Sequence, residues 1–96
     1  MADKLKMDQI KTWIAAQSGW SYKDKSIRKE YAFSSFRDSI VFVNRIASIA
    51  DDLDHHPDID VRYSKVKLTI STHDSGGVTQ KDLSLAEKID FATSAR

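Results

Sequence analysis

The one proline in the chain, Pro57, separates two segments whose apolar residues repeat with different periods. Before it, apolar residues recur every three or four positions from Phe36 to Leu53, which is the spacing of one face of an α-helix. After it, apolar and polar residues alternate from Ile59 to Ile70, which is typical of half-buried β-strands. Because proline disfavours the helical conformation of the preceding residue, the helix must end before this proline. The sequence therefore predicts a long helix followed by a β-ribbon.

The long helix is predicted to have an unusually wide apolar face. Ser34 or Ser35 can cap its N-terminus, with Asp38 in the first turn. The main apolar stripe contains six residues: Phe36, Ile40, Val43, Ala47, Ala50 and Leu53. Three further apolar residues widen it: Phe42, Ile46 and Ile49. Since one sheet face does not need this width, we interpret the additional surface as a contact for a partner helix, which predicts an oligomer.

The ribbon after the proline is predicted to be a hairpin with its turn at Ser64–Lys65. Three apolar cross-strand pairs then lie on one face: Tyr63 with Val66, Val61 with Leu68, and Ile59 with Ile70. The same register, extended outward, places His73 opposite His56. The hairpin is therefore expected to return the third histidine of the chain to the first two.

The remaining segments complete the order α-β-β-α-β-β-α. A first helix carries Ile10, Trp13 and Ile14 and ends near Gly19, and two short strands flank a polar turn at Lys23–Ser26. Thr79 is predicted to cap a last helix that carries three apolar residues: Leu83, Ala86 and Ile89. We expect an α+β two-layer sandwich, in which a four-stranded antiparallel sheet has three helices on one face. A chain of 96 residues fits one domain, 1–96.

Composition excludes several classes of protein. The formal net charge of +1 provides no electrostatic field for nucleic acid or an anionic membrane. The absence of cysteine removes disulfides, thiol catalysis and zinc–thiolate sites, and it fits a reducing compartment. No apolar run is long enough to span a bilayer, and the first residues lack the apolar core of a secretory signal. We therefore expect a cytoplasmic protein without a membrane anchor.

All three histidines, His55, His56 and His73, lie within residues 51–77, and four interpretations compete. They can be ordinary polar residues that meet by coincidence. They can hold zinc, although two adjacent rings before a proline are poorly placed to face one ion. They can perform acid–base catalysis without a metal or cofactor. Finally, they can have no chemical role in a protein that oligomerises with a larger partner.

Imidazole suits acid–base catalysis because its unperturbed pKa is about 6.5, so it can both donate and accept a proton near neutral pH. Two such groups on opposite sides of a small molecule typically accelerate a proton transfer by about 10²–10⁴-fold. Asp51 and Asp82 can orient the rings, but Asp51 can equally be a solvated residue and Asp82 a helix cap. Likewise, Pro57 can be only a helix stop and Tyr63 only a cross-strand residue.

The spacing of these residues resembles the signature of pterin-4a-carbinolamine dehydratases. The shared pattern consists of Asp51, His55-His56-Pro57, Tyr63, His73 and Asp82. The similarity extends to Gly19-Trp20, Phe33, Phe36, Leu53–Pro57 and Ser71–His73, so it covers nearly the whole chain. Two positions depart from the family: Asp51 is glutamate in many relatives, and no cysteine follows the third histidine.

The resemblance implies a hydro-lyase that dehydrates 4a-hydroxytetrahydropterin to quinonoid dihydropterin, which regenerates the pterin cofactor of aromatic amino acid hydroxylases. It implies a catalytic set of three histidines, with acid–base roles for His55 and His73 and mainly substrate binding for His56. Four further positions match residues in or near the pterin pocket: Asp51, Pro57, Asp82 and Trp20. No metal or cofactor is implied.

The resemblance also implies assembly as a homodimer or homotetramer, since relatives associate through sheet edges and the long helix. Animal members act in addition as dimerisation cofactors of a homeodomain transcription factor. By analogy, a non-catalytic dimerisation or co-regulatory module is the alternative function, and the near-neutral charge argues against direct contact with nucleic acid.

Overall fold

The computed structural model describes residues 3–94, and its elements follow the predicted order. The helices are α1 (Met7–Ala16), α2 (Phe36–Leu53) and α3 (Gln80–Ser94). The strands are β1 (Ser21–Lys23), β2 (Ser26–Ala32), β3 (Asp58–Arg62) and β4 (Lys65–Ile70), and a short 3₁₀ turn, His73–Ser75, follows β4. The strands form one antiparallel sheet in the order β1-β2-β4-β3. This confirms the predicted α+β fold with a four-stranded antiparallel sheet.

The core lies between the sheet and the helices. On the sheet side, four side chains are completely buried: Ile27, Val66, Leu68 and Ile70. They belong to one core with buried residues of α2 and α3, namely Phe42, Ile46, Ala50, Leu83, Leu85, Ala86 and Ile89. The other face of the sheet is charged and exposed around Glu30, Lys65 and Lys67. Within residues 3–94, no helix combines the length and the hydropathy that a membrane span requires.

Helix α2 begins and ends where the sequence predicts. The hydroxyl of Ser35 caps it by accepting a hydrogen bond from the backbone N–H of Asp38 at 3.1 Å. The helix ends at Leu53, because Asp54 adopts the left-handed conformation with φ 50°. The chain has therefore left the helix before it reaches Pro57.

Two of the three residues that widen the apolar face of α2 are not available to a partner helix. Phe42 and Ile46, which we interpreted as the additional width for a partner, are buried in the chain's own core. By contrast, Phe36 is 51% exposed, and Ala47 is also exposed. At about 100° per residue, Ile46 lies about 100° and Phe42 about 140° around the helix from Ala47. The apolar face is wide, as predicted, but the sheet covers its other half.

The β3–β4 hairpin differs from the predicted register by two residues. Ile59 pairs with Leu68 and Val61 with Val66, and the turn is at 63–64 rather than at Ser64–Lys65. Tyr63 therefore lies in the turn rather than in the strand, with a φ of 52° and 71% of its surface exposed.

The neighbouring strand explains the difference in register. All six residues of β4 pair with β2, beginning with Lys65 opposite Ala32, so the turn must precede Lys65. The backbone N–H of Phe33 also donates to the carbonyl of Ser64 at 2.8 Å, which attaches the turn to the end of β2. Because a shift of two residues preserves the alternation of faces, the predicted core face of the hairpin is unchanged.

A charged residue on the core face of β2, Lys29, is explained by α3. Asp90 of α3 accepts hydrogen bonds from Lys29 Nζ at 2.9 Å, from the hydroxyl of Tyr31 at 2.6 Å and from Trp20 Nε1 at 2.7 Å. Burial raises the pKa of the Tyr31 phenol far above its ordinary value, and the hydrogen bond and charge of Asp90 raise it further. These four side chains, the Asp90 cluster, join the C-terminal half of α3 to β2 and to the residue that precedes β1.

We expect Asp90→Ala to lower the free energy of unfolding by about 3 kcal/mol, because it leaves largely buried donors without an acceptor. Urea denaturation measures the change. The matched control is Asp60→Ala, which removes an exposed hydrogen bond from Arg62 Nε and should cost about 0.5 kcal/mol or less. Equal losses in the two variants would contradict a stabilising role for the Asp90 cluster.

Candidate active site

One open cleft of about 360 Å³ contains all three histidines. Its lining residues come from three parts of the chain: Asp54, His55 and His56 after α2, Ser71, Thr72, His73 and Asp74 after β4, and Lys81 in the first turn of α3. The antiparallel hairpin places the start of β3 and the end of β4 at the same edge of the sheet. The chain segments that carry the histidines are therefore brought together.

The histidines do not meet as a cross-strand pair. The hairpin pairing ends at Asp58 opposite Thr69, and His73 lies beyond β4 in the 3₁₀ turn. The predicted position of His73 opposite His56 in the ladder is therefore wrong, because both the register and the end of β4 differ. It is the bend after the strand that brings His73 to the cleft.

His55 is held by a buried carboxylate. Its Nε2 lies 2.5 Å from Oδ1 of Asp82, whose side chain is completely inaccessible to solvent. Because a carboxylate accepts hydrogen bonds, the proton of the neutral ring is assigned to Nε2. Within residues 3–94 every fully buried side-chain nitrogen or oxygen has a partner, so Nδ1 of His55, which has none, retains some accessible surface on a side chain that is 13% exposed. The nitrogen with the free lone pair is therefore the accessible one.

Asp82 also caps α3. Its Oδ2 accepts from the backbone N–H of Thr79 at 2.7 Å, while the hydroxyl of Thr79 accepts from the backbone N–H of Lys81 at 3.2 Å. The Asp82 contact is one half of a capping box, while the Thr79 hydroxyl caps the second rather than the third backbone N–H of the helix. The two interpretations of Asp82 in the sequence, a helix cap and an orienting group, thus describe the two oxygens of one carboxylate.

His56 has a different environment. Its Nε2 lies 2.9 Å from Oδ1 of Asp51, and the two side chains are 58% and 76% exposed. The aspartate at position 51, although shorter than the glutamate of many relatives, therefore reaches a histidine, His56. In water such a contact contributes little to stability, so the ring of His56 remains free to reorient.

The other predicted site residues lie outside the lining of the cleft. Pro57 is half-buried immediately before β3. Trp20 is 5% exposed and donates to Asp90, so it belongs to the Asp90 cluster. Tyr63 lies at the far end of the hairpin from the histidines. Of the residues carried by the resemblance, the structure thus brings together the three histidines, Asp51 and Asp82.

Sequence reasoning missed Thr72, which lies beneath the cleft. Its side chain is 7% exposed, and its hydroxyl lies 2.8 Å from Oδ2 of Asp82. A signal was present: Thr72 continues the inward-facing series of Leu68 and Ile70, so a polar residue occupies a core position. A buried hydroxyl at such a position requires a hydrogen-bond partner.

Three other clefts of the described residues are comparable in volume but differ in chemistry. One of about 320 Å³ lies on the charged face of the sheet, one of about 540 Å³ lies between α2 and α3, and one of about 410 Å³ lies beside the Asp90 cluster. None of the three contains a histidine. The part of the chain that the structure describes also contains no group of three or more histidine or acidic side chains arranged to hold a metal ion. The histidine cleft is therefore the candidate site for proton transfer.

Comparisons with known proteins agree on one family. Residues 3–92 match the sequence model of a family described as Pterin 4 alpha carbinolamine dehydratase. A protein of Sulfolobus acidocaldarius, provisionally named a pterin-4-alpha-carbinolamine dehydratase, is 46% identical over 87 residues, which cover 91% of this chain and 96% of the relative.

Solved structures with the same fold have more varied descriptions. A transcriptional coactivator/pterin dehydratase from Brucella melitensis superposes with a TM-score of 0.87 and 30% identity, over 92% of this chain and 96% of that one. A pterin dehydratase-like protein described as a RuBisCO assembly factor in the alpha-carboxysome has a TM-score of 0.61 and 19% identity, over 74% and 82% of the two chains. The second likeness shows a shared fold alone.

The geometry predicts that Nε2 of His55 carries a hydrogen-bonded, slowly exchanging proton. In ¹H–¹⁵N NMR spectra near neutral pH, this proton should give a strongly downfield signal that Asp82→Asn shifts upfield or removes. Asp51→Asn, the matched change beside His56, should leave the signal in place. A wild-type spectrum without this signal, or one unaffected by Asp82→Asn, would contradict the assigned tautomer.

Proposed function

This chain belongs to the pterin 4 alpha carbinolamine dehydratase family, and we propose on that basis that it dehydrates 4a-hydroxytetrahydropterin to quinonoid dihydropterin. The observation that carries the proposal is one cleft with three histidines, one of which is bonded to a buried carboxylate. The reaction would recycle the pterin cofactor of aromatic amino acid hydroxylases. A cytoplasmic location is part of the proposal, since the chain has no cysteine that needs an oxidising compartment.

The reaction needs only proton transfers. The hydroxyl on the carbinolamine carbon receives a proton, the C–O bond breaks, and water leaves. The neighbouring ring nitrogen loses its proton, and its electron pair forms the C=N bond. Proton gain and proton loss balance, so a neutral imidazole and an imidazolium are sufficient, without a metal or redox cofactor.

We assign these transfers to His55 and His73, and substrate contact mainly to His56. When the accessible Nδ1 of His55 takes a proton, the carboxylate of Asp82 stabilises the resulting positive charge, as in other carboxylate–histidine pairs. His73 is exposed on the other segment of the cleft, from which it can protonate the departing oxygen. Because the cleft is open to solvent, water can return both rings to their starting protonation states.

We expect His55→Ala and His73→Ala each to lower turnover at least about tenfold, because each removes one general acid or base. Stopped-flow spectroscopy of carbinolamine decay measures turnover, and circular dichroism checks the fold. Asp60→Ala, on the charged face of the sheet, is the unaffected control, and a chelator should not change the rate.

His56→Ala provides the contrast within the same cleft. We expect it to raise KM more than it lowers kcat, because it removes a binding contact rather than a proton transfer. If kcat is unchanged in both His55→Ala and His73→Ala, the catalytic assignment is wrong. If His56→Ala has the largest effect on kcat, the roles within the cleft are assigned wrongly.

We further propose that the chain assembles into a homodimer or homotetramer. The apolar stripe of α2 that the core leaves uncovered consists of Phe36, Ile40 and Ala47, each exposed or half-buried, while Val43 between them packs partly against the core. Residues at this spacing lie on one side of a helix, which suits contact with another helix. The proposed assembly surface is therefore this stripe and not Phe42 and Ile46, which are buried in the core.

Sedimentation velocity at micromolar concentration should therefore detect an oligomer. Ala47→Glu places a charge in the exposed part of the stripe and should shift the protein towards the monomer. Ser48→Glu changes an equally exposed neighbour on another side of the helix and should leave the assembly intact. A wild-type monomer, or equal effects of the two variants, would contradict assembly through this stripe.

A second candidate function is a non-catalytic co-regulatory module. The description of the Brucella melitensis relative as a transcriptional coactivator/pterin dehydratase favours considering it. Such a module would depend on Ala47 and its stripe and would tolerate replacement of the histidines. A dehydratase would instead require the histidines and tolerate changes in the stripe. The histidine variants and Ala47→Glu therefore distinguish the two candidate functions.

A further inference from the structure

Thr72 occupies a constrained position beneath the histidine cleft. Its backbone N–H donates to the carbonyl of Gly77 at 2.9 Å, and the N–H of Gly77 donates back at 3.4 Å. This bridge closes the loop that contains His73. With the backbone fixed on both sides of the loop, the buried side chain of Thr72 faces the first turn of α3.

The directions of the hydrogen bonds around Thr72 follow from the chemistry of its partners. An ionised carboxylate only accepts, so Thr72 must donate its single hydroxyl proton to Oδ2 of Asp82. The hydroxyl of Thr79, 2.7 Å from that of Thr72, must therefore donate to Thr72. The Thr79 hydroxyl in turn accepts from the backbone N–H of Lys81. Three donors thus point in one direction and end on Asp82.

We propose that Thr72 is a positioning residue of the proposed dehydratase site, where it holds the Asp82 carboxylate with Oδ1 directed at His55. This inference rests on the proposed function. Oδ2 has two donors, the backbone N–H of Thr79 and the hydroxyl of Thr72, which leave Oδ1 for the imidazole. Removing the hydroxyl of Thr72 leaves one backbone donor on Oδ2 and frees the carboxylate to rotate.

Thr72 also connects the two groups that exchange protons with the substrate. It directly precedes His73 in the chain, and its side chain bonds to the carboxylate that holds His55. A small displacement here would therefore change the position of one imidazole relative to the other. Misplacement by about 1 Å can cost on the order of 100-fold in rate, even though no contact with the substrate is lost.

The test compares Thr72→Val, which replaces the hydroxyl by a methyl group, with Thr72→Ser, which retains the hydroxyl. We expect Thr72→Val to lower kcat about 10- to 100-fold with KM changed less than about threefold, and Thr72→Ser to keep kcat within about threefold of wild type. Thr69→Val is the matched control, because Thr69 is in β4 and outside this network. Its kcat should equal that of the wild type.

The NMR signal of the His55 Nε2 proton provides a readout that does not depend on activity. It should move upfield in Thr72→Val and stay in place in Thr72→Ser and Thr69→Val. If Thr72→Val does not fold, Thr72→Ala against Thr72→Ser makes the same comparison without a methyl group at the hydroxyl position.

Two results would overturn the positioning role. The first is a variant without the hydroxyl that keeps the wild-type kcat and an unmoved His55 signal. The second is an equal loss of kcat in Thr72→Val and Thr72→Ser, which would show that packing rather than the hydroxyl causes the effect. If the protein is not a dehydratase, the wild type will not accelerate carbinolamine decay. The His55 signal would still show whether Thr72 positions Asp82.

Discussion

The buried carboxylate of Asp82 determines how the parts of this site fit together. An ionised carboxyl group is costly to bury unless hydrogen bonds replace the water that it loses. Asp82 has no exposed surface and accepts three hydrogen bonds, from Thr79, Thr72 and His55. These donors come from the start of α3, the end of β4 and the end of α2. The hydrogen bonds that stabilise this one carboxylate therefore fix the relative positions of the three chain segments that form the cleft.

Helix α3 has a second, partly buried anchor. Asp90 lies eight residues after Asp82, about 12 Å along the helix, and accepts from Trp20, Lys29 and Tyr31. One carboxylate thus attaches the helix to the histidine cleft and the other attaches it to β2 and the residue before β1. The apolar residues between them supply most of the buried surface, while the two carboxylates set the position of α3 along the sheet.

The sequence predicts the features that depend on local residue patterns. It misses the features that depend on which other element packs or pairs against a segment. The helical and strand periods were sufficient for the element order, and Ser35 and Thr79 were sufficient for two helix starts. The hairpin register was wrong because a shift of two residues preserves every face, and only the pairing of β4 with β2 distinguishes the alternatives. The covered half of the α2 stripe and the hydroxyl of Thr72 likewise depend on which element packs against them.

Adjacent histidines acquire different properties because their side chains reach different elements. His55 is bonded to Asp82 in the first turn of α3, whereas His56 is bonded to Asp51 in the last turn of α2. His55 is 13% exposed and bonded to a fully buried carboxylate, whereas His56 is 58% exposed and bonded to a solvated one. A fixed ring with one free nitrogen suits proton transfer to a defined atom. A ring free to reorient suits contact with a bound molecule, so the environments alone support distinct roles for two neighbouring imidazoles.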